Sequence, residues 1–343
     1  MPLILGLESS CDDSAVALVD SDRQILAQAV VGQADAHRPF GGVVPEIAAR
    51  AHVDILPGLI RQVLAEADVR VGEVDAIAAT AGPGLIGGVM VALLAGKGLA
   101  IACRKPLIAV NHLEGHALSP RLVDPRLGFP YLLLLASGGH CQLLEVRGVG
   151  DYRRLATTID DAAGEAFDKA AKLLGLGYPG GPAVEALARE GDPQAVKLPR
   201  PLVGSGEPHF SFAGLKGAVQ REVASGKHQP EDVAASFQQA VIDCMVDRTR
   251  LAMAVSDAPT LVVAGGVAAN GPLRDALSGL AESEGRGFSV PPAWLCTDNA
   301  AMIAWAGAER LALGMIDGLD VPARARWPLD ETAEKVRGAG AKA

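Results

Sequence analysis

The sequence predicts an α/β protein built as two lobes, and three observations carry that expectation. The chain has 343 residues, more than one typical domain holds. It is 49% hydrophobic but only 4% aromatic, so small aliphatic residues fill the core, as layered α/β packing requires. Each half also offers a strand–polar turn–strand hairpin and, downstream, a strand–glycine turn–helix.

Taken in order, Leu3–Glu8 reads as a buried strand and Ala15–Val19 as its hairpin partner. Between them lies the polar turn Ser9-Ser10-Cys11-Asp12-Asp13-Ser14. Residues 31–53, with His37, Gly41-Gly42, Pro45-Glu46 and His52, read as irregular, and a helix is expected from about 53 to 67. A strand over Val74–Thr80 ends in Gly82-Pro83-Gly84-Leu85-Ile86-Gly87-Gly88 and opens an apolar helix, whose surface suits either the core or a dimer contact. Pro106–Val110 is strand-like and leads into Asn111-His112-Leu113-Glu114-Gly115-His116, where Asn111 is a good N-cap. The second half repeats the plan. Tyr131–Ala136, the turn Ser137-Gly138-Gly139-His140 and Cys141–Val146 form its hairpin. Thr260–Ala264, then Gly265-Gly266 through Asn270-Gly271, form its strand–turn–helix. The expected division is an N-terminal lobe over 1–110, onto which about 305–330 packs back, and a C-terminal lobe over 111–304. The latter carries a helical insertion over about 160–235, and 331–343 are expected as a flexible tail.

Composition narrows the function. A net charge of −9 excludes a general polyanion binder, so nucleic-acid chemistry needs a local patch or a partner. The five cysteines form no CxxC pair, which points to a reducing cytosol. The N-terminus lacks the basic region of a signal peptide, and no uninterrupted apolar stretch is expected to reach membrane-spanning length. A cytoplasmic protein without a membrane partner is expected.

The glycine turns are candidate phosphate sites, because free N–H groups and the dipole converge at helix N-termini. Gly82–Gly87 formally matches GxGxxG, yet no Asp or Glu occurs between Leu85 and Leu113, so the dinucleotide reading fails. No GxxxxGK[ST] is present either. Two hairpins with polar turns instead suggest the actin-like ATPase/sugar kinase/Hsp70 (ASKHA) architecture, with duplicated RNase H-like domains and a cleft between them.

His112 and His116 stand at i and i+4, so a helix presents both imidazoles to one point. The alternative is a pair of partly buried histidines bonded to backbone. Asp298, before a helix in Cys296-Thr297-Asp298-Asn299, offers a third ligand, though a plain N-cap explains it too. Two His and one Asp leave open positions and suit Zn²⁺ or Fe²⁺. Glu114 lies two residues past His112, about 200° round the helix. It is misplaced for a metallopeptidase base.

These motifs together resemble the TsaD (Gcp/YgjD) family, the bacterial tRNA N6-adenosine threonylcarbamoyltransferases. The resemblance runs from Leu3 to about Asp330. It rests on Gly6–Asp12, Phe40–Glu46, Gly82–Leu85, the His112/His116 pair, Ala136–His140 and Asp161–Lys169. Tyr178–Pro182, Phe210–Lys216, Gly265–Asn270 and Thr297–Ala300 complete it. It implies transfer of threonylcarbamoyl from threonylcarbamoyl-AMP to N6 of adenosine 37 in tRNAs reading ANN codons. It also implies one divalent metal per subunit, Fe²⁺ with Zn²⁺ as the alternative, on His112, His116 and Asp298. The adenylate would lie on Leu135, Ala136, Ser137, Gly138, Gly139, Asp168, Gly181 and Asn270. Asp12, in the first hairpin turn, is expected as an acidic residue of the catalytic site. Glu185 departs from the family pattern, where many relatives carry Asp. Expected partners are tRNA, a TsaB-type paralogue and a TsaE-type ATPase. A non-catalytic ASKHA scaffold is the competing reading, and a metallopeptidase is disfavoured.

Overall fold

The computed structural model describes residues 1–40, 42–177, 179–334 and 336. Gly41 and Tyr178 of the motifs above, and most of the expected tail over 331–343, lie outside the described residues. The described residues form two compact units, one of Met1–Gly128 with Thr297–Glu331, the other of Phe129–Cys296 with Thr332–Glu334.

In the first unit, β1 (Leu3–Glu8) pairs antiparallel with β2 (Asp13–Asp20), which pairs with β3 (Ile25–Gly32). On the other side β1 runs parallel to β4 (Ala76–Gly82), and β4 parallel to β5 (Leu107–Asn111). The order is β3-β2-β1-β4-β5. β1 and β4 are almost wholly apolar because helices cover both sheet faces. The short helix α1 (Ala34–His37) precedes α2 (Pro45–Glu66). α2 begins eight residues before the expected start. Pro45 at its first turn needs no N–H donor, and Ala48, His52, Leu56, Leu59 and Val63 form one buried stripe at helical spacing. α3 (Ile86–Cys103) buries Val89, Ala92, Leu93, Gly96 and Ala100. Contrary to expectation, α3 is long and apolar enough to cross a membrane, by length and composition alone. It packs instead on β4 and α2, and Lys97 Nζ donates to the Val321 carbonyl at 2.6 Å.

α4 (His112–Val123) follows β5, and α11 (Ala300–Ala312) returns to pack on α4, β1, β2 and β4. The sequence-based boundary at 110/111 therefore shifts to Gly128, and the return begins at Thr297 rather than about 305. The reason is covalent and steric. β5 is hydrogen-bonded into the first sheet, so the helix leaving it stays there, and α11 packs against that helix. Gly6 makes this close, since a Cβ there would stand 2.5 Å from the Ala300 carbonyl and 2.7 Å from the Ala304 nitrogen. Gly115 of α4 does the same against Met302 and Ile303.

The second unit repeats the plan. β6 (Tyr131–Ala136), β7 (Cys141–Gly148) and β8 (Asp151–Thr157) form the antiparallel part. β9 (Thr260–Ala264) and β10 (Gly287–Ser289) run parallel to β6, giving β10-β9-β6-β7-β8. Its helices are α5 (Ala163–Leu173), α6 (Gly180–Ala188), α7 (Ala213–Ser225), α8 (Pro230–Ala254), α9 (Gly271–Ser283) and the short α10 (Ala293–Cys296). α5, α6, α7 and the start of α8 fill the predicted insertion. The sequence pattern predicts no strand at β3, β8 or β10. β3 is an edge strand alternating half-buried and exposed residues at its start, and β10 has three residues, so neither carries a long apolar run.

Candidate active site

The local sequence builds the histidine pair. Asn111 closes β5 and caps α4, its Oδ1 accepting from Leu113 N at 2.9 Å while its Nδ2 donates to the Trp327 carbonyl at 2.9 Å. His112 and His116 then fall one turn apart, with ring centroids 4.8 Å apart and planes at 90°. Asp298 immediately precedes Asn299, the N-cap of α11. Because Gly115 lets α11 approach α4, Asp298 Oδ1 comes to 3.1 Å from His116 Nε2 and 3.4 Å from His112 Nε2. One ligand atom from each of the three lies within 4.8 Å of the others. Asp298 belongs to the same compact unit as the histidines, and all three stand in the first unit rather than in the expected C-terminal lobe over 111–304.

Behind His112 stands Glu8, which is not among the residues predicted for the site. Its Oε2 lies 3.0 Å from His112 Nδ1 and accepts from Thr80 Oγ1 at 2.5 Å, while Oε1 accepts from Ser10 N at 2.5 Å. The signal was a lone acid ending an otherwise apolar strand. Burial alone would raise the Glu8 and Asp298 carboxyls. The charge of His112 and its hydrogen bonds outweigh burial, holding Glu8 below and Asp298 well below the usual range. Burial would likewise lower His112, but the Asp298 and Glu8 charges raise it well above an ordinary imidazole.

The hairpin turn supplies Asp12 and Asp13. Burial, then the charges of Asp298, Asp12 and Glu8, pushes Asp13 up to about 7. The Cys11 thiol is raised by burial and by its neighbour Asp12, with which it is hydrogen-bonded. Four acids thus share this region with two imidazoles, and the excess negative charge is the environment a divalent cation offsets. His116 Nδ1 is buried and unpartnered among the described residues. The donor set, two imidazoles and a carboxylate, fits a borderline metal. Glu114 faces elsewhere: it is 2% exposed, its Oε2 3.1 Å from Arg310 Nη1. It is committed to that pair and does not serve as a metallopeptidase base.

The eight adenylate candidates all fall in the second unit. Leu135 and Ala136 end β6 and are fully buried. Ser137-Gly138-Gly139 turns the chain into β7, with Ser137 N donating to the His140 carbonyl at 2.8 Å and His140 N to Ser137 Oγ at 3.1 Å. The N-terminus of α5 abuts this turn. Gly164 N donates to the Ser137 carbonyl at 3.2 Å, and a Cβ on Gly164 would stand 2.6 Å from that oxygen. Gly138 and Gly139 are exposed with open space beside them. Asp168, on α5, accepts from Gly180 N at 2.8 Å, which sets the start of α6 and Gly181 beside it. Asn270 caps α9 through Leu273 N at 3.0 Å, and its Nδ2 donates to Gln238 Oε1 at 2.9 Å and to Glu185 Oε2 at 3.3 Å. Glu185 therefore touches a predicted site residue.

A family model described as TsaD, tRNA N6-adenosine threonylcarbamoyltransferase, matches residues 24–305. This chain belongs to the TsaD family. Its similarity to individual members runs end to end. A tRNA N6-adenosine threonylcarbamoyltransferase of Sphingopyxis alaskensis is 72% identical over 344 residues, covering 100% of both chains. One of Novosphingobium aromaticivorans is 68% identical over 350 residues, again covering 100% of both. Among solved structures, HypF of T. kodakarensis aligns with a TM-score of 0.61 at 16% identity, over 91% of this chain and 48% of that one. Component A of the Acidaminococcus fermentans (R)-2-hydroxyglutaryl-CoA dehydratase aligns at 0.56 and 16% identity, over 91% and 100%. At such identities these two attest the fold alone, and it is the ASKHA class expected for a TsaD-family chain.

Proposed function

We infer that this chain transfers a threonylcarbamoyl group to N6 of adenosine in tRNA. The observation that carries the reading is full-length identity of 72% to a relative named for that activity. The finer reading is that threonylcarbamoyl-AMP is the donor, adenosine 37 of ANN-reading tRNAs the acceptor, and AMP the second product.

The chemistry suits the residues. Threonylcarbamoyl-AMP is a mixed anhydride, so the adenosine N6 attacks the carbamoyl carbon directly. The new N–C bond forms as the C–O bond to phosphate breaks, AMP leaves with the electron pair, and N6 loses a proton. No protein nucleophile is needed; binding and orientation supply the rate. In this reading Ser137-Gly138-Gly139 and the α5 N-terminus take the AMP phosphate. Leu135 and Ala136, buried at the end of β6, anchor that turn from below, and Asp168, Gly181 and Asn270 flank the nucleoside. His112, His116 and Asp298 would hold one divalent cation, Fe²⁺ or Zn²⁺, which when bound would supply Lewis-acid polarisation. Asp12 orients the attacking amine and receives its proton.

The partners in this reading are a TsaB-type paralogue and a TsaE-type ATPase, in the cytoplasm where tRNA is modified. The apolar surface shared by α2 and α3, with Val53 and Leu94 more than half exposed and Met90 beside them, is where the paralogue docks. The complete His–His–Asp set favours catalysis over a scaffold role.

The test combines the chain with both partners, threonylcarbamoyl-AMP and an ANN-decoding tRNA, and reads digested nucleosides by mass spectrometry. Threonylcarbamoyladenosine is expected, and is expected to disappear on chelation or with His112→Ala. No modified nucleoside in the complete mixture refutes the function. Undiminished product from a chelated His112→Ala sample refutes the metal's part in it.

A further inference from the structure

Glu8 is hard to explain as a folding residue. The rest of β1 is Leu3-Ile4-Leu5-Gly6-Leu7, and Ile4 to Leu7 are buried apolar or glycine positions. The Glu8 side chain is 1% exposed, and burying a carboxylate that deeply is strongly unfavourable unless it is fully bonded. An apolar residue would satisfy the strand at lower cost. Three elements nevertheless converge on this carboxylate. The hairpin turn gives it Ser10 N at 2.5 Å, β4 gives it the buried Thr80 hydroxyl at 2.5 Å, and α4 gives it His112 Nδ1 at 3.0 Å. The pairing of Leu7 with Ala79 in parallel register puts Thr80 beside Glu8. Thr80 and Ser10 hold both carboxylate oxygens, so the side chain has one orientation to offer His112.

We propose that Glu8 is a positioning residue of the metal site, fixing the His112 ring with Nδ1–H toward Glu8 so that Nε2 is presented to the cation shared with His116 and Asp298. The inference rests on reading those three residues as a metal site. Nδ1 and Nε2 lie on different edges of the ring. The Nε2 edge faces Asp298 at 3.4 Å, while the Nδ1 edge faces Glu8. A carboxylate accepting from Nδ1–H selects the tautomer that coordinates through Nε2 and makes the ring a stronger donor. Ser10 Oγ, 3.1 Å from the same Nδ1, is a weaker neutral neighbour. Glu8 also ties the metal helix to the hairpin turn that carries Asp12. Metal loading and the placement of that turn thereby share one residue.

The experiment uses the purified full chain and zinc as the probe, with competition against a chelating dye. Glu8→Gln is expected to weaken zinc binding roughly 10–100-fold, and Glu8→Asp, which keeps the charge but withdraws it by one methylene, by less. In a His112→Ala background Glu8→Gln should have no further effect, since its route to the metal is gone. In ¹⁵N spectra of the zinc-loaded wild type, His112 should show a protonated Nδ1 and a metal-bound Nε2, and Glu8→Gln should perturb that Nδ1–H. Circular dichroism of the metal-free variants checks folding, and Glu8→Asp carries the test where Glu8→Gln does not fold. Wild-type zinc affinity in the folded Glu8 variants overturns the proposal, as does an equal loss with and without His112. Failure of the wild type itself to bind zinc overturns the metal-site reading, and this inference with it.

Discussion

At the scale of single residues, the site is a problem of charge. Glu8, Asp12, Asp13 and Asp298 are set close enough that Asp13 feels the other three and rises to about 7. Its ordinary value is near 3.9. The sign follows from proton linkage. Folded Asp13 keeps its proton up to about pH 7, whereas the unfolded chain releases it above about pH 4. Asp13 therefore stabilises the metal-free fold at low pH, and that contribution is lost as pH rises toward 7. Asp13→Asn removes the dependence. Urea unfolding of the metal-free proteins should show the variant gaining stability on the wild type between about pH 4 and 7, by at most about 4 kcal/mol, and levelling above. A constant difference across that window would show that the acids do not crowd one another. Glu114 makes the same point in reverse: an acid beside two histidines in sequence is spent on Arg310.

At the scale of elements, one helix-on-strand contact delivers the third ligand. α11 lies against β1 where Gly6 leaves room, and Asp298 sits just ahead of its first turn. Gly6→Ala drives a methyl group into the Ala300 and Ala304 backbone, which has no flexible side chain to yield. Overpacking of this kind costs about 1–3 kcal/mol, read as a lower urea midpoint. Because the displaced element carries Asp298, zinc affinity should fall as well. A variant that loses stability but binds zinc normally would show that α11 does not set the ligand. Elements also explain what a linear reading of the chain misplaced. Local sequence puts His52 and Glu46 in an irregular segment, yet α2 starts at Pro45 and runs through Pro57. The burial stripe of that helix outweighs Pro57 and Gly58, which on local propensity argue for interruption.

At the scale of the whole molecule, the duplication is exact in topology although the residues do not repeat. Both sheets place three antiparallel strands beside two parallel ones, in matching order. The copies have diverged in chemistry. The first unit carries the histidine–aspartate set, and the second carries the exposed glycine turn with the α5, α6 and α9 termini around it. Net charge belongs to this scale too. At −9 the chain repels the phosphate backbone as a whole. It should bind ANN-decoding tRNA weakly by itself at physiological salt and tightly only with its partners. Filter binding across a salt series checks this, and tight binding by the isolated chain contradicts it.

The sequence by itself determined the fold class, the duplication, the two histidines on one helical face, the glycine turns and the family. All are local patterns: periodicity, caps, turn chemistry and motif order act within a few residues of chain. Tertiary structure alone decided which compact unit owns Asp298, since that depends on α11 packing across Gly6 and Gly115, some 290 and 185 residues away in sequence. It likewise decided that Glu8 faces His112, because β1, β4 and α4 meet there only once the sheet has paired. Edge strands β3, β8 and β10 were illegible for the related reason that their stability comes from a neighbour's hydrogen bonds rather than from their own apolar pattern. Contacts over such separations leave no periodic trace in a single chain, and the environment of the metal site is made of them.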